Sequence, residues 1–570
     1  MKKLIFNSLL ALFCMANVHV MGQSFLQHQW SFVFGENEGG GGTAYDVDID
    51  DNGNIFTVGI YTAAPYITPT QQLNFHGCTD VFLTKHSSNG DLLWARDFGS
   101  MTGFEYGNAV KADKAGNVYM TGLFYETIDF DPGIGVAELT SIAGYADIFF
   151  AKYDADGNYL WAISMGSTAG SESGHAIITD FDDCVYLLGH FYNTMDANPG
   201  VGVAELHSVG EKDIFITKFA TNGNLIWAKS LGSIDNDLVY GATVDYEDNI
   251  IITGTYAGNI DFDLSSTTHI VNGIGERDIF IAKYDSSGAF IWAKGIGSPS
   301  DDESYDIATD QTGNVFITGF FRETVDFNPD PVGEALLVSQ GSSDIFVAKY
   351  DKNGNFVWAK GFGTDESYEE GWSIAVDTTN NVIIAGVISG SVDFGAGSIV
   401  PHYGDKDALI AKFDNNGNTL WAHTIGGEGG DIARAVAVSK EGEIVIAGEI
   451  GDGTSDFDLN SGSTSSVYTV TKDNIFITKY DVTDNTAIQE NIAANLHVYP
   501  NPVSDIITID IPASKTNANL VIYDINGKAI FRKTANTEQI TINTSSWAEG
   551  VYFIWIDEVL LKNNTIVVMH

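Results

Sequence analysis

Apolar and polar residues in this chain come in short blocks and never with the three-to-four spacing of a helix. Runs such as "DIFIAKY" (Asp278 to Tyr284) and "NVFITG" (Asn314 to Gly319) are apolar or aromatic and are bounded by Asp, Asn and Gly. Runs of this kind read as strands. Clusters such as "DKAGN" and "DQTGN" between them read as tight turns, because Asp and Asn bond nearby backbone and Gly adopts left-handed angles. The pattern recurs: Trp stands at 30, 94, 161, 227, 292, 358 and 421, and strands end on Gly59, Gly122, Gly189, Gly254, Gly319, Gly386 and Gly448. Each unit predicts two hairpins, as in "SYDIATDQTGNVFITGFF" and "DIFVAKYDKNGNFVWAKGFG", and therefore four strands, A to D.

Seven units whose strands are apolar on both faces predict an all-β chain, in which each sheet packs face to face on its neighbours as a blade of a seven-bladed β-propeller. An open solenoid is the rival, but it needs capping units that the chain lacks. The ends fit a propeller. "QHQWSFVFG" (27–35) is a strand D without a strand C, and "DNIFITKYD" (473–481) is a strand C without a D. The N-terminal strand is expected to complete the last blade, leaving no sheet edge over. The motifs "DIFIAKYDxxGxxxWAK" and "DxxGNVxxxG" resemble the SBBP-type β-propeller repeats. "DFDDC" (180–184) and "SKEGE" (439–443) depart from that pattern. The propeller is expected over residues 23–482.

After a linker at 483–495 the repeat gives way, over 496–570, to hairpin patterns that predict a small Ig-like β-sandwich. Three motifs stand in order: "YPNP" (Tyr499, Pro500, Asn501, Pro502), "VIYDINGK" (521–528, with Gly527 and Lys528) and "GVYFIWI" (550–556, with Gly550 and Tyr552). Together they resemble the type A C-terminal sorting domain of the type IX secretion system, although the final "VVMH" lacks the basic residue common there. The resemblance implies handling by the type IX machinery and an address on the outer surface of a Gram-negative bacterium or in its medium. It also implies a tail that is removed or exchanged for a glycolipid anchor. Residues 1–22, with Lys2 and Lys3 ahead of an apolar stretch, read as a signal peptide.

Composition narrows the partners. A formal net charge of −47, from 75 acidic and 28 basic residues, repels nucleic acid and anionic lipid and can attract divalent cations. No segment after residue 22 is long and apolar enough to span a membrane. Cys78 and Cys184 fall in different units, so no disulfide framework is expected.

Candidate chemistry lies in the longer loops, those after strands B and D. The D to A loops carry Asp301, Asp302, Glu303, Glu366, Glu369 and Glu370 as possible ligand-facing acids. After strand B stand Asp129 and Asp131, Asp261 and Asp263, Asp326 and Asn328, and Asp456 and Asp458. Alternate residues of an extended chain project together, so each such pair offers two oxygens suited to calcium, the one cofactor considered. The competing reading, which is favoured, makes these pairs turn builders. The repeated Lys85, Lys152, Lys218, Lys283, Lys349, Lys412 and Lys479, and the repeated Trp, are expected to pack between blades.

HExxH, CxxC and GxSxG are absent, and no catalytic residue is assigned. The function expected is binding or scaffolding of an extracellular glycan or protein. The alternative is a carbohydrate-active enzyme, a glycoside hydrolase or lyase, using loop carboxylates such as Asp302 or Glu369.

Overall fold

The computed structural model describes residues 25–35, 40–459 apart from loop positions 69, 199–201, 266, 331, 366–367 and 396–398, then 466–469 and 474–483. In the tail it describes 497–510, 519–524, 528–534, 539–556 and 559–569. The proposed signal peptide, Glu366, Gly527 and nearly all of the linker lie outside these residues. The described residues fall into two compact units, one within Gln23–Thr483 and one in the tail.

The larger unit is built from four-stranded antiparallel sheets, and no helix occurs among the described residues. The first sheet runs Gly42–Ile49, Ile55–Tyr61, Asp80–His86 and Leu92–Phe98, in chain order from A to D. Five more follow, with A strands at Tyr106–Ala112, Ser173–Thr179, Leu238–Val244, Glu303–Thr309 and Glu370–Val376. In the seventh, strand A (Ile432–Val438), B (Ile444–Ile450) and C (Asn474–Thr483) are joined by Phe25–Phe34 as strand D. Trp30 there pairs with Lys479, and Phe34 with Ile475. Every residue of Ile55–Tyr61 and Asp80–His86 is buried, as a strand covered on both faces requires. The A strand of each sheet touches that of the next, and Ile432–Val438 touches Gly42–Ile49.

One contact repeats from sheet to sheet. The indole Nε1 of Trp94 donates to the carbonyl of Ala155, in the C to D turn of the following sheet, at 3.1 Å. Trp161, Trp227, Trp292 and Trp358 donate likewise to Thr221, Ser286, Lys352 and Asn415. Trp30, in the seventh sheet, donates to Ser88 of the first at 3.2 Å. The same six carbonyls accept from Lys85, Lys152, Lys218, Lys283, Lys349 and Lys479. Glycine is needed in these turns. At Gly354, φ is +78°, and a Cβ would come within 2.9 Å of the Trp292 ring.

The lysines also hold an acid of the A to B turn in their own sheet. Lys152 reaches Asp113 at 3.0 Å, Lys218 reaches Asp180 at 2.9 Å, Lys283 reaches Asp245 at 2.6 Å and Lys412 reaches Asp377 at 2.8 Å. Those aspartates meanwhile accept the amides two and four residues on, as Asp113 does from Ala115 and Asn117, which fixes the turn.

Trp421 is the exception. Its Nε1 is buried without an acceptor, since strands C and D of the seventh sheet come from opposite ends of the chain and no turn joins them to offer a carbonyl. Its ring packs instead in the cluster that contains Leu26 and Tyr480. Trp292→Phe is therefore expected to cost about 1 kcal/mol more than Trp421→Phe in denaturant unfolding, the worth of one hydrogen bond. Equal losses would mean that the hook contributes nothing.

His86 holds a strand C position that carries Tyr or Phe in the other six sheets (Tyr153, Phe219, Tyr284, Phe413, Tyr350 and Tyr480). Its ring lies 4.5 Å from Phe32 and 6.3 Å from Trp30, with neither nitrogen bonded. Burial pushes its pKa down to about 4. A folded pKa below the unfolded one, for histidine, means stability that is present above about pH 6.5 and lost as pH falls toward 4. His86→Phe should raise the melting temperature near pH 5 and change it little near pH 8; the reverse order would contradict the buried, neutral ring.

In the tail unit, His497–Tyr499, Ile506–Asp510 and Gln539–Asn543 form one sheet. Asn519–Asp524, Ala529–Thr534, Gly550–Ile556 and Val559–Val568 form another. Ile507, Ile509, Leu520, Ile522, Ile540, Ile554 and Ile566 are buried in their shared core. The motif residues fasten this unit. The Asn501 side chain accepts the Val567 amide at 2.8 Å, the Tyr499 hydroxyl donates to Asp510 at 3.1 Å, and the Tyr552 hydroxyl donates to the Ala548 carbonyl at 2.8 Å.

Candidate functional site

Each of the seven A strands slips register against its B strand at one place. The slips fall between Ala44 and Asp46, Gly107 and Ala109, Gly174 and Ala176, and Val239 and Gly241. They recur between Ser304 and Asp306, Gly371 and Ser373, and Ala433 and Ala435. A bulge re-aims the side chain of its extra residue. The residues so displaced are Tyr45, Asn108, His175, Tyr240, Tyr305, Trp372 and Arg434, all half-buried, and all border one cavity of about 400 Å³.

These side chains form a collar. Tyr305 stacks on Trp372 with centroids 4.4 Å apart and planes 3° from parallel, and the Arg434 guanidinium lies 4.4 Å from the Trp372 ring. Tyr240 meets Tyr305 edge-on at 5.4 Å, and His175 meets Tyr240 edge-on at 5.8 Å. Arg434 also lies 6.0 Å from the Tyr45 ring and donates to Glu449 at 3.1 Å. Asn108 reaches the neighbouring sheet through Ser173 and Gly174, at 3.0 and 2.9 Å. His175 Nε2 lies 3.1 Å from His190 Nδ1, and burial pushes His175 down to about 4, so the pair is uncharged at neutral pH.

Beside the collar, carboxylates tie adjacent A strands together. Asp46 accepts the amides of Val47 and, on the next sheet, Val110, both at 2.8 Å. Asp306 does the same with Ile307 and Ile374 and also accepts the Ser373 hydroxyl. Enclosure raises both acids, Asp46 to about 8 and Asp306 to about 6. Asp48 pairs with Lys111 at 2.7 Å.

Of the described loop acids singled out from sequence, Glu303 and Glu370 stand beside the collar, Glu303 bonded to Tyr240 and Glu370 near Arg434, while the others serve their own loops. Asp302 is buried and accepts the amides of Ser298 and Arg322; Glu369 is buried and accepts the Thr364 amide. Glu105, Glu172, Asp237 and Asp431 repeat this stapling in other sheets. Asp301 and Glu303 pair with Arg277, and Asp301 also with Arg322. Burial raises Glu370 and Glu303.

After strand B, the first acid of each pair shapes its loop. Asp129 accepts from Asp131 and Ala137, Asp261 from Asp263 and His269, Asp326 from Asn328 and Ala335, and Asp456 from Asp458. Among the described residues no group of three or more His, Cys, Asp or Glu is arranged to hold a metal ion.

The staples carry a pH dependence. Burial, with a second buried acid at the head of strand C adding to it, lifts Glu105, Glu172 and Asp237 to about 7, and Asp302 and Asp431 to about 6. Burial likewise lifts the partners Asp80 and Asp213 to about 6 and Asp147 to about 7. A carboxyl whose folded pKa exceeds its unfolded one contributes stability that is present below the unfolded value and lost as pH rises through the folded one. The melting temperature should therefore climb as pH is lowered from about 8 to about 5, and should do so at high salt too, where general repulsion is screened. A flat profile at high salt would contradict the buried state of these acids.

The collar escaped the sequence reading because it belongs to no motif. Its only signal is a position in strand A that varies from unit to unit, Tyr in three of the seven, set between small residues such as Gly371 and Ser373 or Ala433 and Ala435.

With the geometry in place, comparison with known proteins locates two parts of the chain. Residues 497–568 match the secretion system C-terminal sorting domain, and residues 291–319 match the beta-propeller repeat. The chain carries an SBBP beta-propeller repeat and a type IX sorting tail, which points to secretion and the outer surface. It is 25% identical over 495 residues to an uncharacterized WD repeat-containing protein of Acanthamoeba polyphaga mimivirus, over 71% of this chain and 35% of that one. It is 24% identical over 271 residues to the regulatory protein FlaEY of Caulobacter vibrioides, over 46% of this chain and 26% of the relative. The chain thus spans about a third or less of the length of these relatives.

Among solved structures, a quinohemoprotein alcohol dehydrogenase of Pseudomonas putida HK5 is similar at 13% identity and TM-score 0.39, over 85% of this chain and 79% of that one. PorZ, a surface component of the type-IX secretion system of Porphyromonas gingivalis, is similar at 11% identity and TM-score 0.23, over 92% and 81%. Likeness this loose bears on no function. Among the described residues no helix is long and apolar enough to cross a membrane.

Proposed function

We propose that the larger unit is a closed seven-bladed propeller, with the first strand completing the last blade. After export to the cell surface or medium, it serves as a binding module whose axial cavity takes a small polar ligand. Closure is supported by the unbroken circuit of A strands and by the Trp30 to Ser88 hook, which joins the seventh sheet to the first as the others are joined. Binding is carried by one observation: seven equivalent bulges present seven side chains of which only three are alike, Tyr45, Tyr240 and Tyr305. A collar that merely filled the axis would be served by one residue type in every unit. An unsymmetrical set on a symmetrical frame fits an unsymmetrical ligand.

A secreting host given the chain without residues 497–570 should retain it inside, whereas the full chain should reach the surface or medium; arrival of both outside would remove the export reading. Deleting residues 25–34 should lower the melting temperature and speed hydrogen exchange across Asn474–Thr483, and an unchanged melt would remove the closing strand. For the cavity, some member of a panel of small sugars, amines and carboxylates should raise the melting temperature of the wild type and not of Tyr45→Ala. A panel without effect would end the binding reading.

A further inference from the structure

The charges around the cavity narrow its ligand. Asp48 is held by Lys111 and Arg434 by Glu449. Asp46 and Asp306 spend their oxygens on amides of two adjacent strands each. Lys111 and Arg434 thus each have a counter-charge, and Asp46 and Asp306 are held by backbone amides. A cation entering would meet Lys111 and Arg434, and an anion would meet the three aspartates. Either would disturb groups already satisfied in an enclosed site and leave a charge uncompensated.

What remains on offer is mixed. The rings of Tyr45 and Tyr240 border the cavity, as does Asn108. Apolar ring surface is interleaved there with groups that donate and groups that accept. A saccharide is the complement, with C–H faces that pack on rings and hydroxyls that both give and take hydrogen bonds. A cavity of about 400 Å³ accommodates a mono- or disaccharide.

We propose, resting on the binding reading above, that the axial cavity takes the ring of a neutral saccharide, packed on Tyr45 and Tyr240 with a hydroxyl bonded by Asn108. The test is calorimetric titration of the full chain with glucose, galactose, mannose, N-acetylglucosamine, cellobiose and lactose, with choline and citrate as charged probes, at low and high salt. A neutral sugar should bind with a Kd that salt does not move, weakened about tenfold by Tyr45→Ala. Tyr240→Ala, on another sheet, should weaken it similarly and serves if Tyr45→Ala does not fold. Binding of choline or citrate alone, lost in the same variants, would overturn the saccharide and leave the binding module standing. A sugar bound equally by wild type and both variants would also overturn it. No binding by any probe would overturn both readings.

Discussion

Six of the seven sheets offer one carbonyl, that of the second residue in the C to D turn, which accepts from both an indole and an ammonium of the sheet before it. Two donors from two strands leave little freedom of tilt or slide between neighbours. The turn must expose that carbonyl, which is why it bends through a left-handed glycine pressed against the tryptophan ring. With the sheets so fixed, their A strands come to one level, and seven bulges that would otherwise be scattered line a single cavity. The site is a product of the hook.

Much of this was legible in the chain. The Trp and Gly periods marked the strands, and the turn chemistry of Asp, Asn and Gly marked the hairpins. The lysines of strand C were readable as packed side chains, though their acid partners, Asp113 or Asp245, were not, since pairing across a sheet leaves no trace in spacing. The loop acids show the converse. Glu105, Glu172, Asp237, Asp302, Glu369 and Asp431 recur in six of the seven units, and recurrence is what a structural staple produces; charge alone had suggested a face toward a ligand. The collar stayed hidden because a bulge breaks the two-residue alternation at the very residue that matters, so Trp372 and Arg434 read as ordinary strand positions.

Repetition and variation are divided by place. Residues that join sheets repeat, whether Trp, Lys or turn aspartate. Residues of the collar vary, with Tyr at only three of the seven places. The division also separates charge: the net −47 belongs to the chain as a whole, while around the cavity Lys111 and Arg434 each have an acid partner.

The orphaned indole of Trp421 points to the order in which the molecule is made. Six of the sheets can assemble from contiguous chain, but the last must gather strands whose contact between Trp30 and Thr478 spans 448 positions. Distant pairings are the slowest to form. Until then Phe25–Phe34 and Asn474–Thr483 are two bare edges, each a template for a stray copy. Mutual repulsion between heavily acidic chains is what guards those edges during assembly, so the excess of carboxylates has its use before the structure is complete.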